Sequence, residues 1–81
     1  MKRRAPQSEV GNALRRRFAR NLRQFRRKKG MTQVELAEAA GLERSFISQI
    51  ERGRFSVTLE TVGALSAALE ICPTRLIQPG D

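Results

Sequence analysis

The chain has 81 residues and a formal net charge of +8, a length that suits one small domain. A domain of this size buries only about 60% of its unfolded surface, so pairing with a second copy would help its stability. One cysteine, Cys72, and no histidine exclude an intrachain disulfide and a zinc site. No apolar run approaches the roughly 20 residues that span a bilayer, and no signal-peptide pattern is present. We therefore expect a soluble, cytoplasmic protein.

Positive charge is concentrated in the first third of the chain. Residues 1–29 hold twelve Lys or Arg against one acidic residue, a net charge of +11, whereas residues 30–81 hold four Arg against seven acidic residues, a net charge of −3. A basic segment joined to a mildly acidic body attracts a polyanion, which is either a nucleic acid or an anionic membrane surface. Composition does not choose between these two partners.

The pattern of apolar residues predicts helices and no strand, and therefore an all-α fold. Residues 1–12 contain Pro6 and Gly11 without apolar periodicity, so we expect a flexible basic arm. Residues 13–81 form the predicted domain, and its first helix runs to about Lys29. Apolar residues recur along that helix at spacings of four, four and three: Leu14, Phe18, Leu22 and Phe25.

Four further helices are predicted from their end signals. Thr32 opens a capping-box pattern that starts the second helix, and Gly41 permits the left-handed turn that ends it. The third helix lies in the segment LERSFISQIERG and closes at Gly53. Thr58 can cap a fourth helix, TLETVGALSAALE, and Pro73 suits the first position of a short fifth helix, CPTRLI.

From about residue 18 to residue 77 the sequence resembles the lambda-repressor-like, or xenobiotic-response-element, helix-turn-helix family. Within the motif, at about residues 32–53, the family's small, turn and buried positions are met by Ala37, Gly41, Ile47 and Ile50. The segment RSFISQIERGRFSVTLETV is especially similar to controller proteins of restriction-modification systems. The resemblance implies a compact five-helix DNA-binding domain that acts as a sequence-specific transcriptional regulator.

The third helix divides into a polar side and an apolar side. At 100° per residue, its polar residues from Arg44 to Arg52 fall within an arc of roughly 140°, and Ile47 and Ile50 fall opposite. In a DNA major groove, arginine can pair with guanine and glutamine with adenine, while serines donate or accept at short range. An ordinary amphipathic surface helix would show the same pattern, but the resemblance favours DNA. The predicted base-reading residues are Arg44, Ser45, Ser48 and Gln49.

Phosphate contacts are predicted around that helix. The resemblance implies that Gln33 contacts the DNA backbone from the start of the second helix, where the helix N-terminus adds donors and positive potential. Arg54 and Ser56 match family positions in the following loop, and Arg52 is a further candidate. Phe55 stands where a polar residue is usual, and it either packs against sugars or covers the core. The basic arm is a candidate for the minor groove through Lys2, Arg3 and Arg4.

Two pairs of residues have structural rather than DNA-reading roles. Arg26 and Glu51 border the apolar sides of the first and third helices, and they resemble the family's arginine and glutamate pair that ties these helices together. Leu76 and Ile77 either form a dimer interface, which we predict, or close the monomer's own core. Cys72 is expected to be a small buried or capping thiol.

The predicted function is that of a homodimeric regulator that reads a palindromic operator in double-stranded DNA. We predict no catalytic residues, metal, cofactor, membrane or small-molecule ligand. Two alternatives stay open: an antitoxin-type protein-interaction module that regulates its own gene, and a non-specific nucleic-acid or membrane-surface binder. With DNA as the partner, a cytoplasmic, nucleoid-associated location is expected.

Overall fold

The computed structural model describes residues 7–80, which form four α-helices and one 3₁₀ turn. The elements are α1 (Gln7–Lys28), α2 (Gln33–Ala40), α3 (Arg44–Glu51), α4 (Leu59–Leu69) and the 3₁₀ turn Pro73–Leu76. No strand occurs within this range, and the predicted all-α class is confirmed. Across residues 7–80, no helix combines the length and apolar character needed to cross a membrane.

The ends of α2 and α4 form through the predicted caps. The Thr32 hydroxyl accepts a hydrogen bond from the N–H of Glu35 at 3.0 Å, and the Glu35 carboxylate accepts one from the N–H of Thr32 at 2.8 Å. Gly41 then adopts a left-handed conformation with φ of 72°, which lets the chain turn into α3 within three residues. The Thr58 hydroxyl caps α4 by accepting from the N–H of Thr61 at 3.1 Å.

The core lies where the four helices meet, and the 3₁₀ turn closes its remaining side. Six large side chains are fully enclosed there: Leu22, Leu36, Ile47, Ile50, Leu65 and Leu76. Phe18, Ala37 and Leu69 complete the cluster. The apolar sides of α1 and α3 are therefore buried as their periodicity predicts, and this burial fixes how α3 is turned about its own axis.

Helix α1 begins earlier than predicted. Its first residue is Gln7, so residues 7–12 are helical and the expected arm of residues 1–12 is wrong over that part. A single glycine, Gly11, costs only about 1 kcal/mol in a helix. The negative charge of Glu9, in the first turn, stabilises the helix by its interaction with the positive N-terminal end.

The predicted fifth helix is a single 3₁₀ turn rather than an α-helix, which corrects the five-helix architecture. Pro79 and Gly80 follow within four residues of its end, and both residues disfavour a longer helix. Cys72 precedes this turn but is exposed and makes no capping hydrogen bond to it, so the expectation of a buried or capping thiol is also wrong. Its Sγ lies 3.2 Å from the hydroxyl of Thr74, a contact that lowers the pKa of the thiol.

Candidate nucleic-acid interface

Helix α3 presents one polar side to solvent because its other side is held in the core. Ile47, Ile50 and Glu51 are buried. The predicted base-reading residues lie on the opposite side: Arg44, Ser45, Ser48 and Gln49. The first two are exposed and the last two are half-buried. These four residues offer hydrogen-bond donors and acceptors with a single positive charge, that of Arg44.

Arg26 and Glu51 are in direct contact between α1 and α3. The Arg26 Nε donates to Glu51 Oε2 at 2.6 Å, and its Nη2 donates to Oε1 at 3.0 Å, which is a bidentate pair. Both residues are buried. The hydrogen bond to Glu51 raises the pKa of Arg26 despite the opposing effect of burial, so the guanidinium stays charged. Each buried charge is thereby matched by its partner.

Gln33 connects this buried pair to the polar side of α3. Its Nε2 donates to Glu51 Oε1 at 3.1 Å, and its Oε1 accepts a long hydrogen bond from Arg44 Nη1 at 3.5 Å. The first residue of α2 and the first residue of α3 are therefore linked through side chains to the α1 and α3 contact in the core. The structure places Gln33 beside Arg44, at the edge of the base-reading residues.

The loop after α3 packs an aromatic ring beside the same surface. Phe55 lies against Phe46 with ring centroids 5.7 Å apart, and 46% of Phe55 stays exposed. Together with Ser45 and Gln49, these rings line a shallow cleft beside α3. Phe55 thus covers the edge of the core, which is one of its two predicted roles, while its exposed part borders the polar side of α3.

The predicted phosphate-binding residues of this loop lie close to α1. Arg52, Arg54 and Ser56 are exposed. The Ser56 hydroxyl accepts a long hydrogen bond from Arg15 Nη1 at 3.4 Å. Gly53, with φ of 73°, passes so near α1 that an added Cβ would lie 3.9 Å from a backbone Cα of that helix.

Four arginines of α1 form a basic stripe along one side of the helix, and two of them lie beside the end of α3. Their spacing of four, three and four places them within roughly 60° around the helix, and they are Arg16, Arg20, Arg23 and Arg27. The first of them adjoins Gly53, and the third donates from Nη1 to the backbone carbonyl of Glu51 at 3.0 Å. The sequence predicts that the basic residues within 1–29 attract a polyanion, but it does not show which arginines adjoin α3. The arm residues lie outside the described range: Lys2, Arg3 and Arg4.

The two residues predicted to form a dimer interface are placed differently. Leu76 is 0% exposed and belongs to the core, so the prediction that its side chain contacts a second subunit is wrong. Ile77 is 48% exposed. The buried amide of Asn21, which sequence reasoning missed, donates from Nδ2 to the carbonyls of Leu76 at 3.0 Å and Gln78 at 2.8 Å. This contact holds the 3₁₀ turn against α1 and keeps Leu76 inside.

Comparison with known proteins identifies this geometry. A family model described as helix-turn-helix matches residues 22–77. A hypothetical transcription factor of Neisseria meningitidis is 39% identical over 62 residues, which are 76% of this chain and 58% of that protein, so the chain spans less than two thirds of this relative. Control protein C.BamHI of Bacillus amyloliquefaciens is 39% identical over 67 residues, covering 82% of this chain and 83% of that protein.

A solved structure gives the same result. The restriction-modification controller protein C.AhdI from Aeromonas hydrophila superposes with a TM-score of 0.77 at 39% identity, covering 79% of this chain and 97% of that chain. Within residues 7–80, no cluster of His, Cys, Asp or Glu is arranged to hold a metal ion. The predicted resemblance is confirmed, and the chain belongs to the helix-turn-helix family of DNA-binding transcriptional regulators, in which restriction-modification controller proteins are among its relatives.

Proposed function

We propose that the protein regulates transcription as a homodimer that places α3 of each subunit in the major groove of a palindromic operator. The observation that carries the proposal is the polar side of α3, which faces solvent because three residues on the other side are buried. Its first residue, Arg44, is linked through Gln33 to the Arg26 and Glu51 pair. Two such helices would lie one DNA turn apart, roughly 34 Å, and read two half-sites. No enzymatic activity is part of this proposal.

The proposed contacts divide into two kinds. Base edges are read by the four residues of α3: Arg44, Ser45, Ser48 and Gln49. Phosphates are bound by Gln33 at the start of α2 and by residues at and after the end of α3: Arg52, Arg54 and Ser56. The four base-reading residues carry only one positive charge. The basic stripe of α1 therefore supplies most of the sequence-independent attraction to DNA. Fixed hydrogen-bond donors on α3 then distinguish one base pair from another.

A controller-type role is the specific form of this proposal. C.BamHI and C.AhdI are controllers by name and align along more than four fifths of their own lengths. The reading surface of α3 lies within the matched family region, residues 22–77. We therefore expect this chain to recognise an operator by the same helix, with a sequence preference set by its own residues at the reading positions.

Selection of bound duplexes from a random pool tests the proposal. We expect enrichment of a palindrome with half-sites about 10 base pairs apart, bound by two subunits per duplex. Arg44→Lys is the matched control, because lysine keeps the charge but loses the bidentate geometry of arginine. It should lose the preference at one position per half-site and keep the overall attraction to DNA. Binding of every duplex with equal strength at moderate salt would contradict the proposal and favour a purely electrostatic binder.

A further inference from the structure

The cleft beside the polar side of α3 is mainly apolar and open to solvent. Phe46 and Phe55 line it with ring centroids 5.7 Å apart and ring planes inclined by 44°, and Leu42 adds a third apolar side chain. We call it the aromatic cleft, and its volume is about 590 Å³. Because 46% of Phe55 is exposed and Phe46 is only half-buried, these rings present apolar surface that water solvates poorly.

Two of the proposed base-reading residues also line the aromatic cleft, namely Ser45 and Gln49. Phe46 lies roughly 60° from Gln49 around α3, at the border between the polar side and the core. The other two reading residues, Arg44 and Ser48, are not part of the lining. The cleft therefore extends one edge of the base-reading side, the edge that carries Ser45 and Gln49.

The major groove of DNA presents one group that suits an apolar cleft. Its bases are distinguished by hydrogen-bond donors and acceptors and, in thymine, by a methyl group at C5. A 5-methylcytosine carries the same methyl group at the same ring position. Phenylalanine is among the side chains that make apolar contact with this methyl group, whereas serine hydroxyls and glutamine amides read the polar groups.

We propose that the aromatic cleft binds the C5-methyl group of a pyrimidine, and that Phe55 makes operator recognition depend on this group. The inference rests on the proposed function, which brings α3 into the major groove, and it adds a contact that hydrogen bonds do not supply. Since Gln49 belongs to both surfaces, the methyl group lies on the base pair that Gln49 contacts or on a neighbouring one.

The polar residues around the cleft favour a base edge over the DNA backbone. Glu43, the residue before α3, is exposed and lines the cleft, so its carboxylate would repel a phosphate placed there. A base edge carries no net charge, and a carboxylate can accept a hydrogen bond from the amino group of cytosine. Ser45 and Gln49 can donate to the O4 acceptor of thymine. Either methylated pyrimidine thus finds a polar partner beside the apolar surface.

The loop that carries Phe55 is already assigned to the DNA. Its neighbours in the chain, Arg54 and Ser56, are exposed and are proposed to bind phosphates. Docking of the loop on the backbone would bring the exposed part of the ring to the groove. The contact with Phe46 meanwhile ties the ring to α3, next to the base-reading residues.

Single-methyl changes in the selected operator test the inference. Uracil in place of thymine removes only the methyl group, and 5-methylcytosine in place of cytosine adds only that group. Each pyrimidine is exchanged in turn, symmetrically in both half-sites. At one position we expect the methylated duplex to bind the wild-type protein about fourfold more tightly for each half-site, the effect of burying one methyl group. A response to uracil identifies thymine as the source of the methyl group, and a response to 5-methylcytosine identifies the modified cytosine.

Substitutions of Phe55 show whether its ring is responsible. Phe55→Ser should bind the methylated and unmethylated duplexes equally, whereas Phe55→Leu, which keeps an apolar side chain, should retain most of the difference. Val10→Ser is the matched control, because Val10 is an exposed apolar residue of α1 that does not line the cleft. Each variant is measured on both duplexes, since a loss of stability lowers the two affinities alike and leaves their ratio unchanged.

The outcomes separate this inference from the proposed function. An operator that binds equally well with and without each methyl group overturns the inference, and the ring then only covers the core or packs against sugars. A methyl dependence that Phe55→Ser retains overturns the assignment to this cleft. A protein that prefers no duplex overturns the proposed function, and with it the inference.

Discussion

Arg44 is the residue on which sequence recognition depends most in the proposed complex. It is exposed at the first turn of α3, and its guanidinium is steadied by the amide of Gln33. Arg44→Ala should weaken operator binding by roughly 1–3 kcal/mol and relax the preference at one position of each half-site. Affinity for the operator and for single-base variants of it measures both effects.

A charge-matched variant separates reading from attraction. Arg20→Ala removes one positive charge from the exposed side of α1 and leaves α3 unchanged. It should weaken binding to all duplexes about equally. If Arg44→Ala behaves in the same way and keeps the wild-type preference profile, the base-reading role of Arg44 is wrong.

Glu70 is held in a backbone conformation that suits glycine better. It ends α4 with φ of 59°, and it is the one non-glycine residue with positive φ in the described part of the chain. Glu70→Gly should raise the melting temperature by a few degrees, because glycine adopts this conformation without steric cost. The ion pair that the variant loses, Lys29 Nζ to Glu70 Oε1 at 2.8 Å, is exposed and stabilises little.

The dependence on pH gives a second check on Glu70. Lys29 lowers the pKa of the Glu70 carboxyl, so the ion pair contributes above the unfolded-state pKa and is lost as the pH falls through the folded-state pKa. The advantage of Glu70→Gly should therefore grow in acid. Glu70→Ala, which loses the ion pair and keeps the unfavourable φ, should melt below the wild type. A glycine variant that melts below the alanine variant would contradict the backbone explanation.

At the scale of elements, one buried ion pair joins α1, which carries half of the chain's Lys and Arg residues, to α3, the helix proposed to read DNA. Glu51→Ala should lower the free energy of unfolding by about 3 kcal/mol, because it leaves the charge of Arg26 unpartnered in the core. Chemical denaturation at neutral pH measures the loss. Gln33→Ala, which removes a single partly buried hydrogen bond to the same carboxylate, should cost much less.

A double substitution shows whether the two charges act together. Replacing Arg26 with methionine in the Glu51→Ala background removes the lone charge, so part of the lost stability should return. Effects that simply add would mean that the contact between these side chains contributes nothing of its own.

The helices whose ends carry strong local signals could be predicted from the sequence. The cap of α2 at Thr32, its turn at Gly41 and the cap of α4 at Thr58 depend on residues within one or two turns, and each forms as expected. The start of α1 could not be placed, since Pro6 and Gly11 outweighed the apolar spacing of Val10 and Leu14. Helical spacing of Val10 with Leu14 was the signal that could have extended it.

Long-range contacts account for the other differences. Asn21 looks like one more polar residue of a basic helix, and only the fold brings its amide to the carbonyls of Leu76 and Gln78. Leu76 and Ile77 were equivalent in sequence, but Leu76 is the last residue of the 3₁₀ turn and enters the core, whereas Ile77 follows the turn and stays half exposed. The polar side of α3, in contrast, could be predicted from helical periodicity alone, because the positions of Ile47 and Ile50 indicate which side is buried.

At the scale of the whole molecule, the salt dependence of DNA binding should report which arginines touch phosphate. Arg16→Gln removes a charge beside the loop at Gly53, and it should make the slope of log K against log salt shallower by about 0.9 for each subunit. Lys28→Gln, an exposed charge at the other end of α1, should leave the slope unchanged. Binding measured between 50 and 200 mM salt covers the range in which such slopes are usually read.

A deletion tests whether the N-terminal residues contact DNA. Deletion of residues 1–6, which include Lys2, Arg3 and Arg4, should make the slope shallower if these side chains reach the minor groove. An unaltered slope would show that they do not contact DNA. Equal slopes for Arg16→Gln and Lys28→Gln would show that the basic stripe attracts DNA only at long range.

The two-sided packing of α3 has a consequence for how relatives of this protein can diverge. Ile47, Ile50 and Glu51 secure the helix in the core, whereas the four proposed reading residues lie outside the core on its other side. A lineage could therefore acquire a new operator through a few substitutions on one side of one helix while its folding remained nearly unchanged. Paralogous regulators in one cell could share this scaffold and still ignore each other's sites.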